Sequence, residues 1–290
     1  MSQVLVAGIT GALGGEVARS LLARGHTVRG LLRDERRWPM DLGAATKHVG
    51  DALKPQTLQG AADGIDTVFS CLGASVSAEP AAGWSSFTAV DTPANLALLA
   101  EAKRAGVRRF VYVSVFHSEA MKALAYIRAH EEVVEAIKAS GLEYSIVRPT
   151  GFFSALSELL PLAEKGRLPS FNGGQAKSNP IHEGDLAQVC VEAIETGGPE
   201  VPCGGPDVLS RKEMNTLACA AVGKPDKAMK APLWALKLAA LCATPLQPRL
   251  AQLFQFVASL SENDLVAPAR GSRKLGDYFK DRVARSSSRT

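Results

Sequence analysis

Apolar residues in the first half of the chain fall into short unbroken runs, separated by stretches in which they return every three or four positions. The runs at 4–8, 27–32, 45–49, 67–72, 109–115 and 144–147 have the length and solid apolar character of strands buried on both faces. The stretches at 13–24, 55–60, 93–105 and 120–140 carry helical spacing, and Gly25, Gly106 and Gly141 stand where helix ends call for a left-handed residue. Strands alternating with helices imply right-handed crossovers and a parallel sheet covered on both sides. After Pro149 the pattern loosens: glycine pairs at 173–174, 197–198 and 204–205 punctuate short pieces. Segments 185–195 and 211–222 read as helices, and 233–260 reads as apolar helices broken by prolines. The expected architecture is α/β, a doubly wound parallel sheet over 1–150 with a smaller, mostly helical lobe over 151–285 packed on it as one unit. The serine-rich end, 286–290, is expected to be a disordered tail.

At the junction of the first strand and first helix stands Gly8-Ile9-Thr10-Gly11-Ala12-Leu13-Gly14-Gly15. Small residues at this spacing suit a diphosphate. Gly8 permits the tight exit from the strand, Gly11 lets the backbone approach the phosphates, and Gly14 lets the helix pack on the sheet. The helix start supplies N–H groups and partial positive charge. In this context the motif marks a Rossmann-type dinucleotide core, with Gly8, Thr10, Gly11, Ala12, Leu13 and Gly14 as contacts. The second strand ends in Leu32-Arg33-Asp34, with Arg36 and Arg37 close behind. A guanidinium at Arg33 suits the 2′-phosphate of NADP(H), which is therefore the preferred cofactor; NAD(H) stays open through Asp34. Asp51, after the third strand, is either an acceptor for the adenine amino group or the second half of a Gly-Asp turn.

The 290 residues are 46% hydrophobic and 21% charged, ample for a sizeable core. The net charge of +4 is concentrated toward the C-terminus, and no basic face with interleaved aromatics points to nucleic acid. The five cysteines are dispersed without paired spacing, which argues against a disulfide framework and a metal site and for a reducing, cytoplasmic setting. The start of the chain lacks the basic and apolar regions of a signal peptide. The apolar stretch 231–246 is too short to span a bilayer.

Taken in order, the glycine turn, Val49-Gly50-Asp51, the stretch 105–114, Ser140-Gly141-Leu142-Glu143-Tyr144-Ser145-Ile146-Val147-Arg148-Pro149 and Asn179-Pro180-Ile181-His182-Glu183-Gly184-Asp185 resemble the atypical branch of the short-chain dehydrogenase/reductase superfamily. The likeness covers most of residues 1–195 and is similar to nitrogen-metabolite-repression regulators, isoflavone reductases and divinyl chlorophyllide reductases. It implies further cofactor contacts from Cys71, Leu72, Gly73, Val113, Pro149 and Phe152. Catalytic members pair a serine ending the fifth strand with a Tyr-x-x-x-Lys on the next helix. Here the matching residues are Ser114, Tyr126 and His130, with tyrosine and histidine one turn apart on a common face. Histidine replaces lysine, so a partly charged imidazole stands where a permanent cation would lower the tyrosine's pKa. Ser114 is expected to polarise the substrate oxygen, Tyr126 to exchange the proton, and His130 to hold the ribose and assist.

Two functions follow from this resemblance. One is an NAD(P)H-dependent oxidoreductase reducing a carbonyl or activated alkene of a small, rather hydrophobic molecule. The other is a non-catalytic NADP(H)-binding sensor or accessory protein, kept open by the lysine-to-histidine departure. His117 either faces substrate or lies in solvent, and Phe152 and Phe153 wall the pocket or pack in the core. Asp185 is assigned to helix capping or a first-turn charge. Apolar residues of 234–256, Leu236, Leu241, Leu253, Phe254 and Phe256 among them, form a lid, pack within the lobe, pair two copies into a homodimer, or touch a membrane.

Overall fold

The computed structural model describes residues 1–73, 87–227, 229–244 and 247–287. Its first half runs β1 (Gln3–Ala7), α1 (Ala12–Ala23), β2 (Thr27–Leu32), β3 (Thr46–Val49), β4 (Thr67–Ser70), α2 (Phe87–Arg104), β5 (Arg109–Val113), α3 (Ala125–Lys138) and β6 (Glu143–Pro149). It continues through α4 (Phe153–Leu156), α5 (Leu159–Glu164), β7 (Pro169–Phe171), β8 (Lys177–Ser178), α6 (Glu183–Glu195) and β9 (Glu200–Cys203). The remainder is β10 (Leu209–Ser210), α7 (Arg211–Ala221), β11 (Met229–Ala231), α8 (Leu233–Ala243), α9 (Pro248–Glu262) and α10 (Leu275–Ser287).

The main sheet has the order β3-β2-β1-β4-β5-β6-β9, with every neighbouring pair parallel. Alternation along the strands sends Val4 and Val6 to one face, under α1 and α6, and Leu5 and Ala7 to the other, under α2 and α3. Winding reverses direction between β1 and β4, so the carboxyl ends of these two strands open a crevice, the place where such sheets bind ligands. This is the doubly wound α/β architecture expected from the pattern. The lobe has its own small core of Phe153, Leu160, Met214, Leu275 and Phe279.

Tertiary pairing corrects the expected boundaries. The sheet does not end near residue 150: β9 adds to its β6 edge, and α6 packs on α1, so residues 183–203 complete the core from beyond the division. Helix α2 begins at Phe87 and carries Pro93 inside it, because the chain enters the helix before the proline that looked like its start. Segment 55–60 is a short 3-10 turn, Pro55–Leu58, rather than an α-helix. Helix α10 runs to Ser287, through the first two residues of the expected tail; 288–290, and Pro245 and Leu246 at the end of the apolar stretch, lie outside the described residues. Within α6, His182 is the cap, its Nδ1 accepting from Gly184 N–H at 2.9 Å. Asp185 sits in the first turn and accepts from the backbone N–H of Ser272 and Arg273, both at 3.0 Å, and from the Arg273 guanidinium, tying the loop before α10 to the core.

Candidate active site

The glycine turn is shaped by contacts that only hydrogen side chains allow. Gly8 has a φ of 95°, and a Cβ there would lie 2.8 Å from Cys71 Sγ. A Cβ on Gly14 would lie 2.2 Å from the Gly8 carbonyl oxygen, so α1 meets the end of β1 at a distance closed to any other residue. Gly11 is the N-cap of α1, and neither a side-chain cap nor a carboxylate occupies the first turn. The helix start therefore presents its N–H groups and dipole to a cleft of about 350 Å³ lined by Gly8, Gly11, Ala12, Leu13 and Gly14. A backbone cradle that a Cβ would fill, at an uncapped helix start, fits the diphosphate of a dinucleotide.

The opposite wall of this cleft carries Val113, Ser114, Tyr126 and His130. Ser114 leaves β5 buried, and its Oγ accepts from Arg148 Nη1 at 3.4 Å. Tyr126 leans edge-on against His130 (centroids 4.8 Å apart) and against Phe256 of α9 (4.9 Å). Burial and the nearby Asp91 carboxylate raise the Tyr126 phenol well above its ordinary pKa. His130 is buried, with Tyr112 Oη 2.7 Å from Nδ1. Tyr112 is itself pushed strongly upward by burial, so it keeps its proton and donates it to Nδ1. The imidazole proton then sits on Nε2, which lies 3.9 Å from Asp91 Oδ2, beyond hydrogen-bond reach. Desolvation drops His130 to about 4, so the partly charged histidine expected from the sequence is neutral. It does not supply the electrostatic help of a lysine.

Behind Ser114 lies a charged cluster. Arg148 Nη1 donates to Glu131 Oε1 at 2.6 Å and to the Val115 carbonyl at 3.3 Å, while its Nε donates to Glu200 Oε2 at 2.7 Å. His117 Nε2 stands 3.3 Å from Glu131 Oε1. The Glu131 side chain is part-buried, which opposes its charge, but hydrogen bonds from His117 and Arg148 win and hold it at about 2. The same contact raises His117. His117 is thus neither in solvent nor on the cleft wall; it belongs to this network.

Of the residues expected at the cofactor, Gly8, Gly11, Ala12, Leu13, Gly14, Cys71, Leu72, Gly73, Val113, His130 and Phe152 line the one cleft, together with Ser114 and Tyr126. Thr10, Arg33, Asp51 and Pro149 do not. Thr10 and Arg33 are exposed. Asp51 spends Oδ1 on the Leu53 N–H at 3.1 Å, the turn-forming alternative. Phe153 faces away, into the lobe core against His182 and Tyr278. Asp34 caps the turn Glu35–Arg37 through the Arg36 N–H and binds the Arg36 guanidinium at 2.8 Å. Sequence reasoning missed Asp91, Ser154, Ala155, Glu158 and Glu183 on the cleft wall. Asp91 was hidden by starting α2 at Pro93, and the others sit in the irregular stretch after β6. Glu183 lay within a matched motif, but its carboxylate reaches the cleft region only because it accepts from Ser154 N–H at 2.9 Å.

The family model described as NAD(P)H-binding matches residues 8–197, about two thirds of the chain and the whole of the cleft's cofactor side. The chain belongs to this NAD(P)H-binding family. It binds NAD(P)H, and the resemblance to atypical short-chain dehydrogenases/reductases holds. A photosystem II assembly factor from Guillardia theta is 29% identical over 67% of this chain and 61% of its own length. An NAD(P)H azoreductase from Xenophilus azovorans is 29% identical over 77% of this chain and 74% of its own. The chain spans about three fifths of the first of these relatives. The NADPH-dependent quinone oxidoreductase of Escherichia coli, crystallised with NADPH, shares the fold with a TM-score of 0.76, at 18% identity over 97% of this chain and 99% of that one. Among the described residues no helix is long and apolar enough to cross a membrane, and no group of side chains is arranged to hold a metal ion.

Proposed function

We propose that this protein is an NADPH-dependent reductase of a small, hydrophobic, conjugated carbonyl or activated alkene, working in a reducing, cytoplasmic compartment. One observation carries the proposal: the uncapped start of α1, the Ser114 hydroxyl and the Tyr126 phenol line the same cleft. Gly8 to Gly14 would hold the diphosphate, with Cys71, Leu72, Gly73 and Phe152 along the remainder. Asp34 is committed to Arg36, so the usual acceptor for an NAD ribose is taken, while exposed Arg33 stands beside it to meet a 2′-phosphate. The bound dinucleotide supplies the hydride. Arg148 donates to the Ser114 oxygen, which leaves the serine proton to bond a substrate oxygen. Tyr126, held protonated by burial and Asp91, carries the proton that a reduction consumes. The azoreductase and quinone oxidoreductase relatives are named for acceptors that are themselves electron-poor conjugated systems, in keeping with this reading.

A second reading, a dinucleotide-binding sensor or accessory protein without turnover, is favoured by the neutral, Tyr112-bound His130. Oxidation of NADPH with a panel of quinones, enones and ketones separates the two. Turnover that Tyr126→Phe removes supports the reductase, and tight NADPH binding with no turnover on the panel supports the sensor.

A further inference from the structure

Helix α8 is apolar on both of its faces. Leu236 and Ala240 are buried, on the side that meets α9. Trp234, Leu238 and Leu241, spaced four and three apart, form a second stripe that is 67%, 50% and 69% exposed. Met229 of β11, just before it, is 54% exposed. An exposed tryptophan and two leucines in one stripe are costly to leave in water, which points to an interaction surface. The stripe stands apart from the dinucleotide cleft, whose lining includes no residue of α8.

Charge identifies what covers it. From Lys227 to Ser261 the chain contains no aspartate or glutamate, yet it carries Lys227, Lys230, Lys237 and Arg249. Arg249 is buried and Lys237 binds Glu262 at 2.8 Å, which leaves Lys227 and Lys230 exposed beside the stripe. Strand β11 pairs in parallel with β7, Met229 opposite Pro169, so Lys230 lies opposite Ser170 at this edge. Asp226, next to Lys227, is held by the Thr216 hydroxyl at 2.5 Å. Two exposed lysines against this one acid leave the flank of the stripe net positive, so a second copy docked through this face would set like charge against like. An anionic partner matches both features, and an exposed strip of tryptophan, leucine and methionine flanked by lysines suits the headgroup boundary of a bilayer.

We propose that α8 docks the protein onto the surface of an anionic lipid bilayer, lying flat with Trp234, Leu238 and Leu241 in the acyl boundary and Lys227 and Lys230 among the headgroups. An eleven-residue helix offers about 16 Å of contact in this pose. Docking stands independently of the reductase reading. If both hold, α9, which packs on α8 and places Phe256 against Tyr126, links the docked helix to the cleft, and the acceptor is a lipid-soluble one.

The test is co-sedimentation of the full chain with vesicles of phosphatidylcholine containing one third phosphatidylglycerol, against phosphatidylcholine alone. The wild type is expected to sediment with the anionic vesicles and to release in high salt. Trp234→Ala with Leu238→Ser is expected to weaken binding at least about tenfold, and Lys227→Gln and Lys230→Gln about fivefold each. NADPH affinity and far-UV circular dichroism should be unchanged in all of them, since these side chains are exposed and outside the cleft. Equal binding to both vesicle types, absent binding, or binding indifferent to the Trp234/Leu238 pair overturns the proposal. So does a wild-type dimer that the pair converts to monomer without vesicle binding, or capture by immobilised polyglutamate in place of vesicles. Loss of NADPH turnover with docking intact would count against the reductase reading alone.

Discussion

Lowering the pH from 7.5 to 5 should remove about 2 kcal/mol of unfolding free energy through His130 alone, a magnitude set by a single proton-linkage term. The unfolded histidine titrates near 6.5, and desolvation, with Glu131 opposing it and Arg148 and His117 adding to it, brings the native one to about 4. Because the native value is the lower, the stabilisation is complete above 6.5 and is lost as pH falls toward 4. The full separation is worth about 3 kcal/mol, of which about 2 has gone by pH 5. His117 works in the other direction: its pKa is raised by Glu131, so its contribution is present in acid and fades as pH rises through the native value. The two are separated by comparing the wild type with His130→Gln, whose side-chain oxygen still accepts from Tyr112 but does not titrate. Urea unfolding of both proteins at the two pH values is the assay. The wild type should lose about 2 kcal/mol more than the variant. Parallel losses would mean that native His130 takes up its proton as readily as the unfolded chain does, and the neutral-imidazole picture of the site would fall with it.

Other perturbations test the remaining parts. Tyr126→Phe should cut turnover by about a hundredfold or more while leaving the NADPH dissociation constant within a factor of two, measured by calorimetry and by absorbance at the nicotinamide band. Arg33→Ala should weaken NADPH by about tenfold or more and leave NADH nearly unchanged, a charge-assisted hydrogen bond being worth roughly 1.5–3 kcal/mol; equal losses would remove the 2′-phosphate assignment. Gly14→Ala puts a methyl 2.2 Å from the Gly8 carbonyl, so α1 must shift; calorimetric NADPH binding should disappear and thermal stability should drop. Arg148→Met leaves Glu131 and Glu200 facing each other without their common cation and frees the Ser114 oxygen. It should lower kcat with little change in NADPH affinity, and shift the pH profile as His117 loses the arginine's opposing charge.

Local sequence determined the parts of this protein that depend on neighbours in the chain. The strand runs, the glycine turn and the one-turn spacing of Tyr126 and His130 are set by backbone sterics and helical periodicity, so the parallel core and most of one cleft wall were legible without coordinates. Segments too short or too mixed to show a period were not. Strand β9 belongs to the sheet only because β6 offers it an edge, and Glu183 reaches the cleft only through a bond to Ser154 across 29 positions. The charge on His130 was likewise out of reach of composition, since it depends on burial, and the placing of its proton depends on a hydrogen bond from Tyr112, eighteen residues away on a strand. Proton affinities and cleft walls are sums over atoms that folding brings together. The chain by itself specified which groups were available, and the packing of α2, α3 and the lobe against the sheet decided which of them meet and in what protonation state.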